Sequence, residues 1–308
     1  MAQYLTQNAV WWIEQAGLDG LRLDTFPYVG REFWKGFHAE IHGLYPRVTT
    51  VGEVFNPNAT IVSAFAGGVT RNGVDTGLDT PFDYPGFFGL RDVLLHGAPM
   101  SKLAEVWRLD ALYPHPERLV PFEGNHDTAR FLGEAGATTE KLKLAFAILA
   151  TMRGMPQIYS GDEIAMTGGE DPDNRRDFPG DAFVEGSRTA TQKEMHDWVK
   201  GLLELRRAHG ALQSGEQQVL EAGADTMAYV RGGNLRWGCA ASGGEGRMLV
   251  VVNKGDKEET LDLPMNHTAL AECRKTIGVW GTEGVVEIKA DTLHVVAAPD
   301  SVEIMSVN

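Results

Sequence analysis

Three carboxylates stand just beyond short apolar segments of the chain. Asp24 follows Leu21-Arg22-Leu23, Glu53 follows Val51-Gly52, and Asp127 closes Phe122-Glu123-Gly124-Asn125-His126-Asp127. Two carboxyl groups flanking an acetal can cleave it, one attacking the anomeric carbon while the other protonates the leaving oxygen. Retention of configuration needs the pair about 5–5.5 Å apart and inversion about 6.5–9.5 Å, a distance that a sequence does not contain. Arg22 lies two residues before Asp24, so on a strand both side chains point to one face. Its positive charge would hold Asp24 ionised, as a nucleophile requires. Taken singly, each residue has a plainer reading: Asp24 as a helix N-cap or turn former, Glu53 as solvated loop charge, His126 as an ordinary hydrogen-bonded histidine. Three strand ends of the same polarity favour function for the group.

To carry such groups the chain must alternate strands and helices. It opens on an amphipathic helix with Leu5, Ala9, Trp12 and Ala16 at helical spacing and Gly17 placed to end it. Between Gly20 and about Gly210, strands are predicted at Leu21–Leu23, Val48–Val54, Leu78–Phe82, Leu119–Phe122 and Pro156–Tyr159. Helices are predicted at Arg31–Gly43, Phe88–Leu95, Lys102–Leu112, Glu140–Arg153 and about Lys193–Arg207. The helix from Glu140 is apolar on most faces and is expected to be buried on several sides. This alternation implies parallel βα units, and a parallel βα barrel gathers its catalytic groups where strands end. After Gly210 the pattern becomes all-β, with short strands at Thr226–Arg231, Met248–Asn253, Val285–Lys289, Leu293–Ala297 and Val302–Ser306. The division expected is therefore 1–210 for the βα part and 211–308 for an antiparallel β-sandwich.

Composition narrows the partners. Lys and Arg total 28 against 42 Asp and Glu, a formal charge of −14, which argues against nucleic acid and against an anionic membrane. There is no apolar run of the ~20 residues that would span a bilayer. With 43% hydrophobic and 23% charged residues the chain reads as globular rather than disordered. The two cysteines, Cys239 and Cys273, exclude a disulfide scaffold; one bridge is open to them, and two unpaired buried thiols is the reading favoured. No CxxC or HExxH motif suggests a zinc site.

The motifs converge on one family. Gly20-Leu21-Arg22-Leu23-Asp24 resembles the second signature region of the alpha-amylase family, glycoside hydrolase family 13. Val51-Gly52-Glu53-Val54 resembles the third, and Phe122-Glu123-Gly124-Asn125-His126-Asp127 the fourth. The segment from Gly154 to Glu163 is similar to the family's eighth strand and the loop after it. Each motif alone is weak, but four in order are specific. The resemblance implies that Asp24 is the nucleophile, Glu53 the general acid/base and Asp127 the third carboxylate, which binds sugar hydroxyls. It implies that Arg22 orients the nucleophile and that His126 serves the same sugar subsite. Asp171-Pro172-Asp173-Asn174-Arg175-Arg176 is similar to a loop of the cyclomaltodextrinase, neopullulanase and maltogenic amylase group, which makes Asp171 and Arg175 substrate-binding candidates; a solvated charged turn is the alternative. Phe26, Tyr28 and Phe55 follow catalytic positions and are open to sugar stacking or to packing, as are Trp237 and Trp280 in the β domain.

The resemblance covers essentially the whole chain but only part of the family's pattern. It implies an incomplete (β/α)8 barrel, about strands four to eight, followed by the antiparallel β-sandwich. The first signature region, of the form DxxxNH, has no counterpart, and with it go one substrate-binding Asp, one His and much of the calcium site usual in the family. No metal or cofactor ligand is read here, and calcium belongs to a full-length relative. Barrels avoid free edges by closing, so five strands leave open edges at Leu21–Leu23 and Pro156–Tyr159. Three situations would answer this: a truncated copy of a longer enzyme, which is favoured, a second chain that supplies the lost strands, or self-association through the open edges.

The function expected is retaining hydrolysis of α-glucosidic bonds in starch-like glucans or maltodextrins, with turnover by this chain alone in question. The alternatives are a transglycosylase or isomerase of the same family and a non-catalytic glycan-binding fragment.

Overall fold

The computed structural model describes residues 1–213, 215–236, 239, 246–281 and 286–308. It resolves into two compact units, Met1–Phe88 with Val106–Pro121, and Gly89–Glu105 with Phe122–Asn308. Trp237 and Val285, named above, lie outside the described residues.

The first unit begins with α1 (Ala2–Ala16), which ends at Gly17 in the left-handed conformation with φ 63°. Glycine adopts that conformation without a Cβ clash, as the sequence predicts. The buried face is different from the one expected. Thr6 and Ile13 face inward, while Leu5 and Trp12 are exposed together with Tyr4 and Trp11. Then come β1 (Gly20–Leu23), α2 (Arg31–Leu44), β2 (Thr49–Gly52), α3 (Ala59–Ser63) and β3 (Thr80–Pro81). The three strands form a parallel sheet in the order β1-β2-β3. Leu23 pairs with Gly52, and Gly52 pairs with Pro81. α2 turns Trp34, Phe37 and Ile41 into a core that also holds Leu23, Phe26, Val54 and Leu78. Gly52 sits where a Cβ would come 2.7 Å from Leu78 Cδ2 and 3.2 Å from Phe26 Cγ, so a side chain there would have to displace Leu78. The α3 turn was not predicted; Asn58 caps it through the Thr60 N–H.

α4 (Tyr84–Leu94) and α5 (Met100–Arg108) cross the division between the units. The predicted strands Leu119–Phe122 and Pro156–Tyr159 appear only as isolated parallel bridges, Phe82 to Val120 and Phe122 to Gln157. Pro121 and Pro156 have no N–H to donate, which removes the ladder bonds a longer strand would need.

In the second unit α6 (Thr139–Thr151) is buried from Leu144 through Thr151, as its all-round apolar sequence requires. α7 (Ala190–Ala208) starts with a capping box between Thr189 and Gln192. Its Arg206 guanidinium donates to the carbonyls of Ala150, Met152 and Gly154, which satisfies the C-terminal end of α6. A short helix, α8 (Gly210–Gln213), precedes eight strands among the described residues: β4 (Glu216–Ala222), β5 (Thr226–Gly232), β6 (Arg247–Asn253), β7 (Glu259–Pro264), β8 (Thr276–Trp280), β9 (Val286–Lys289), β10 (Thr292–Ala297) and β11 (Ser301–Val307). They make a five-stranded sheet, β4-β5-β6-β11-β8, and a three-stranded one, β7-β10-β9, both antiparallel. Val230, Leu249 and Val251 of the larger sheet share one core with Leu261, Leu263 and Val295 of the smaller. β4, β7 and β8 escaped the sequence reading; β4 and β7 are rich in Glu, Gln and Asp, which carry weak strand propensity.

The cysteines correct an expectation. Cys239 and Cys273 form a disulfide with Cα atoms 5.0 Å apart, in place of two thiols. Cys273 is buried in the β-sheet core as expected, Cys239 is only partly buried against it, and their pairing is the tertiary fact.

Candidate active site

The first unit builds a carboxylate pair on adjacent strand ends. Because Leu23 pairs with Gly52 in parallel register, Asp24 and Glu53 leave the sheet side by side. The ladder continues one step further, with the Glu53 N–H donating to the Leu23 carbonyl and the Phe26 N–H donating to the Glu53 carbonyl. Arg22 Nη1 lies 2.5 Å from Asp24 Oδ1, and its Nη2 lies 3.1 Å from Glu53 Oε1. One guanidinium thus bridges both carboxyl groups. The Thr25 N–H donates to Glu53 Oε2 at 2.9 Å, and the Tyr84 hydroxyl donates to Glu53 Oε1 at 3.3 Å. The two carboxylates differ in surroundings. The Glu53 side chain is 9% exposed and the Asp24 side chain 63%. The Asp24 carboxyl is open to an incoming carbon, and the sheltered Glu53 carboxyl is held in place by its donors.

The second unit gathers the remaining candidates. The Asp127 carboxylate lies 3.2 Å from His126 Nε2 and 3.3 Å from Arg175 Nη2. Arg175 Nε also pairs with Asp171 Oδ1 at 2.8 Å. The turn that presents them is locked from within: the Asp127 N–H donates to Asn125 Oδ1 at 2.9 Å. It is also held from outside. Asn174, fully buried, donates through Nδ2 to the His126 and Thr128 carbonyls, each at 2.8 Å. The Asp171-Pro172 peptide that leads to Asn174 is cis. Arg91 Nε donates to the Glu123 carbonyl at 3.0 Å and its Nη2 to the Ala129 carbonyl at 2.7 Å, so one side chain grips both ends of the turn. Below it Arg130 Nη1 lies 2.7 Å from Asp162 Oδ1, with both residues buried. Burial, and then the Asp162 charge, push the Glu123 carboxyl well above its ordinary value; burial likewise raises Asp162, against the opposing pull of Arg130.

Of the seven site residues predicted, Arg22, Asp24 and Glu53 meet in the first unit, and His126, Asp127, Asp171 and Arg175 meet in the second. The sequence reading missed Tyr84, Asn174, Arg91, Arg130, Glu123 and Asp162 as site-building residues. Asn174 and Glu123 lie inside the quoted motifs; Tyr84 and Arg91 carry no local signal. Among the aromatic candidates Phe26 is wholly buried and stacks on Trp34 at 4.3 Å, which makes it packing and not a sugar platform. Tyr28 and Phe55 are exposed, Phe55 resting 4.4 Å from the Tyr84 ring. Trp280 packs edge-on to Trp198 at 5.0 Å and over Gly201 of α7, so it too is packing. Among the described residues no three His, Cys, Asp or Glu side chains are grouped to hold a metal ion, and no helix is long and apolar enough to cross a membrane.

Known proteins resemble this chain in sequence and in fold. The chain is 32% identical over 215 residues to a beta/alpha-amylase of Paenibacillus polymyxa, covering 68% of this chain and 16% of that protein. It is 27% identical over 272 residues to a cyclomaltodextrinase of Geobacillus thermopakistaniensis, covering 86% of this chain and 41% of that one. The chain therefore spans less than half the length of either relative. Its structure superposes on a crystal structure of alpha-amylase from Geobacillus thermoleovorans complexed with acarbose, with TM-score 0.82 and 26% identity over 100% of this chain and 64% of that one. A solved cyclomaltodextrinase superposes with TM-score 0.80 at 26% identity, covering 100% of this chain and 48% of that one. Residues 1–207 match the alpha-amylase catalytic domain, and the chain belongs to the alpha-amylase family.

Proposed function

We propose that the chain carries the catalytic carboxylates of a retaining glycoside hydrolase acting on α-glucosidic bonds of starch-like glucans or maltodextrins. The observation that carries this reading is Arg22 holding Asp24 and Glu53 together at the ends of paired strands. Asp24 attacks the anomeric carbon as the bond to the leaving oxygen breaks, and Glu53 gives that oxygen its proton. Glu53 then takes a proton from water, whose oxygen bonds to the anomeric carbon and releases Asp24. Asp127 binds sugar hydroxyls and stabilises the oxocarbenium-like transition state, with His126 at the same sugar. Asp171 and Arg175 hold the glycone end. The names of the relatives, cyclomaltodextrinase and alpha-amylase, and the acarbose in one solved structure support an α-glucan substrate.

The finer architecture belongs to the same proposal: strands four to eight of a (β/α)8 barrel in 1–210, and a β-sandwich in 211–308. Among the described residues β1 pairs only with β2, which supports self-association, or a complementing chain, at the free edge of β1. Light scattering on the purified chain should give a mass above that of one copy; a monomer at working concentration removes the self-association part.

The deciding experiment measures reducing-sugar release from soluble starch and from a cyclic dextrin, with Asp24→Asn alongside. Release that disappears in the variant supports the hydrolase. Longer oligosaccharides among the products point to the transglycosylase of the same family. Glycan binding by the folded chain with no release replaces both with a binding role.

A further inference from the structure

Beneath the turn that carries His126 and Asp127 lies a closed polar cluster within the second unit. Glu123 is wholly buried, and among the described residues neither of its carboxylate oxygens meets a donor. Oδ2 of Asp162, whose carboxyl lies beside that of Glu123, meets none either. The charged groups that face this pair are Arg91, Arg130 and, through Arg91, Glu134 at 2.9 Å. The Tyr159 ring covers Arg130 at 4.4 Å. An ionised Glu123 would bury a charge whose two oxygens meet no donor among the described residues. One proton on Glu123 removes that charge. It also supplies the donor that Asp162 Oδ2 lacks, since two carboxylates can bond only when one is protonated.

We propose that Glu123 and Asp162 share one proton at neutral pH, and that this pair, gripped by Arg91 and Arg130, positions the turn that presents His126 and Asp127. The connection to the turn is direct. The Arg91 guanidinium that faces Glu123 and Asp162 also donates to the backbone carbonyls of Glu123 and Ala129. Gly124 lets the chain pass close: a Cβ there would stand 3.2 Å from Asp162 Oδ2 and 3.4 Å from Arg91 Nη2. Loss of the shared proton sets two adjacent carboxylates against each other and draws Arg91 from the carbonyls to the new charge. Glu123 and Asp162 are positioning residues, and their importance for turnover rests on the role proposed for Asp127.

The sign of the pH effect follows from linkage. The folded chain keeps the Glu123 proton at pH values where the unfolded chain has lost it. Stability therefore falls as pH rises from the ordinary carboxylate range towards the raised folded value. Glu123→Gln keeps a neutral donor and cannot titrate.

Three readouts on the full chain test this, none using turnover, so they are independent of the hydrolase reading. Infrared spectra at pH 7 should show a carboxylic-acid C=O band that Glu123→Gln removes. The melting temperature of Glu123→Gln should gain on that of the unaltered chain as pH rises above the carboxylate range. The His126 ring resonances, assigned with His126→Gln, should show a pH step with the same midpoint as the disappearance of the acid band, and that step should be absent in Glu123→Gln. An unaltered chain with no acid band at pH 7 overturns the shared proton, whether or not the variant folds. Parallel melting curves do the same. A His126 signal indifferent to Glu123 overturns the positioning role.

Discussion

Arg22 Nη1 stands 2.5 Å from Asp24 Oδ1, and the two residues lie two positions apart on one strand end. The same guanidinium reaches Glu53 Oε1 at 3.1 Å, so its planar fork spans two acids that come from different strands. Arg22→Ala is expected to lower kcat/KM for maltodextrin hydrolysis by about 10²–10³-fold, the usual loss when one electrostatic group leaves an active site. Arg22→Lys should recover only part of this, because a point charge serves one carboxylate better than two. Unaltered kinetics in both variants would detach Arg22 from the chemistry.

Tyr84 separates holding the acid from binding the sugar. Its ring is buried and its hydroxyl donates to Glu53 Oε1 at 3.3 Å. Tyr84→Phe removes one hydrogen bond to an acid, about 1–2 kcal/mol, and should lower kcat roughly tenfold. KM should change little, since Glu53 remains in place. A change confined to KM would assign Tyr84 to substrate contact.

Gly52 sets how closely β2 lies against its neighbours. Gly52→Ala would put a methyl group 2.7 Å from Leu78 Cδ2. Overpacking of this kind costs about 1–3 kcal/mol, and here it displaces the residue just before Glu53. Chemical denaturation should show the loss of stability, and hydrolysis should fall with it. Full stability in this variant would mean that Leu78 yields freely.

The Cys239–Cys273 bridge closes a sequence separation of 34 residues. On the chain-entropy account a loop of that length contributes about 4 kcal/mol. Denaturant titration with and without reductant should show a transition at lower denaturant in the reduced chain, as should the double Cys→Ser variant. Coincident curves would show that the β-sheet core holds this segment without the bridge.

The strand ends that hold the candidate carboxylates were legible because their residues are unusual in kind and close in sequence. Leu21-Arg22-Leu23-Asp24 and Val51-Gly52-Glu53 each combine a short apolar run with charge at its end, and the structure pairs those runs in the register that sets Asp24 beside Glu53. Helix positions were legible from apolar spacing, but the buried face of α1 was not. Which stripe faces inward depends on what lies opposite, so Ile13 is buried while Trp12 is exposed.

The sequence by itself determined the order of βα segments, the change to a mainly β pattern after Gly210 and the identity of the seven site candidates. All of these depend on residue type and on spacing along one segment. Tertiary structure alone decided the pairing of Cys239 with Cys273, the packing role of Phe26 and the contact of Tyr84 with Glu53. It also decided that Arg91 and Asn174, 83 residues apart in the chain, grip carbonyls of one turn. Such contacts join residues with no local pattern in common, and their energy comes from burial and from the satisfaction of polar atoms, which exist only once the chain is folded.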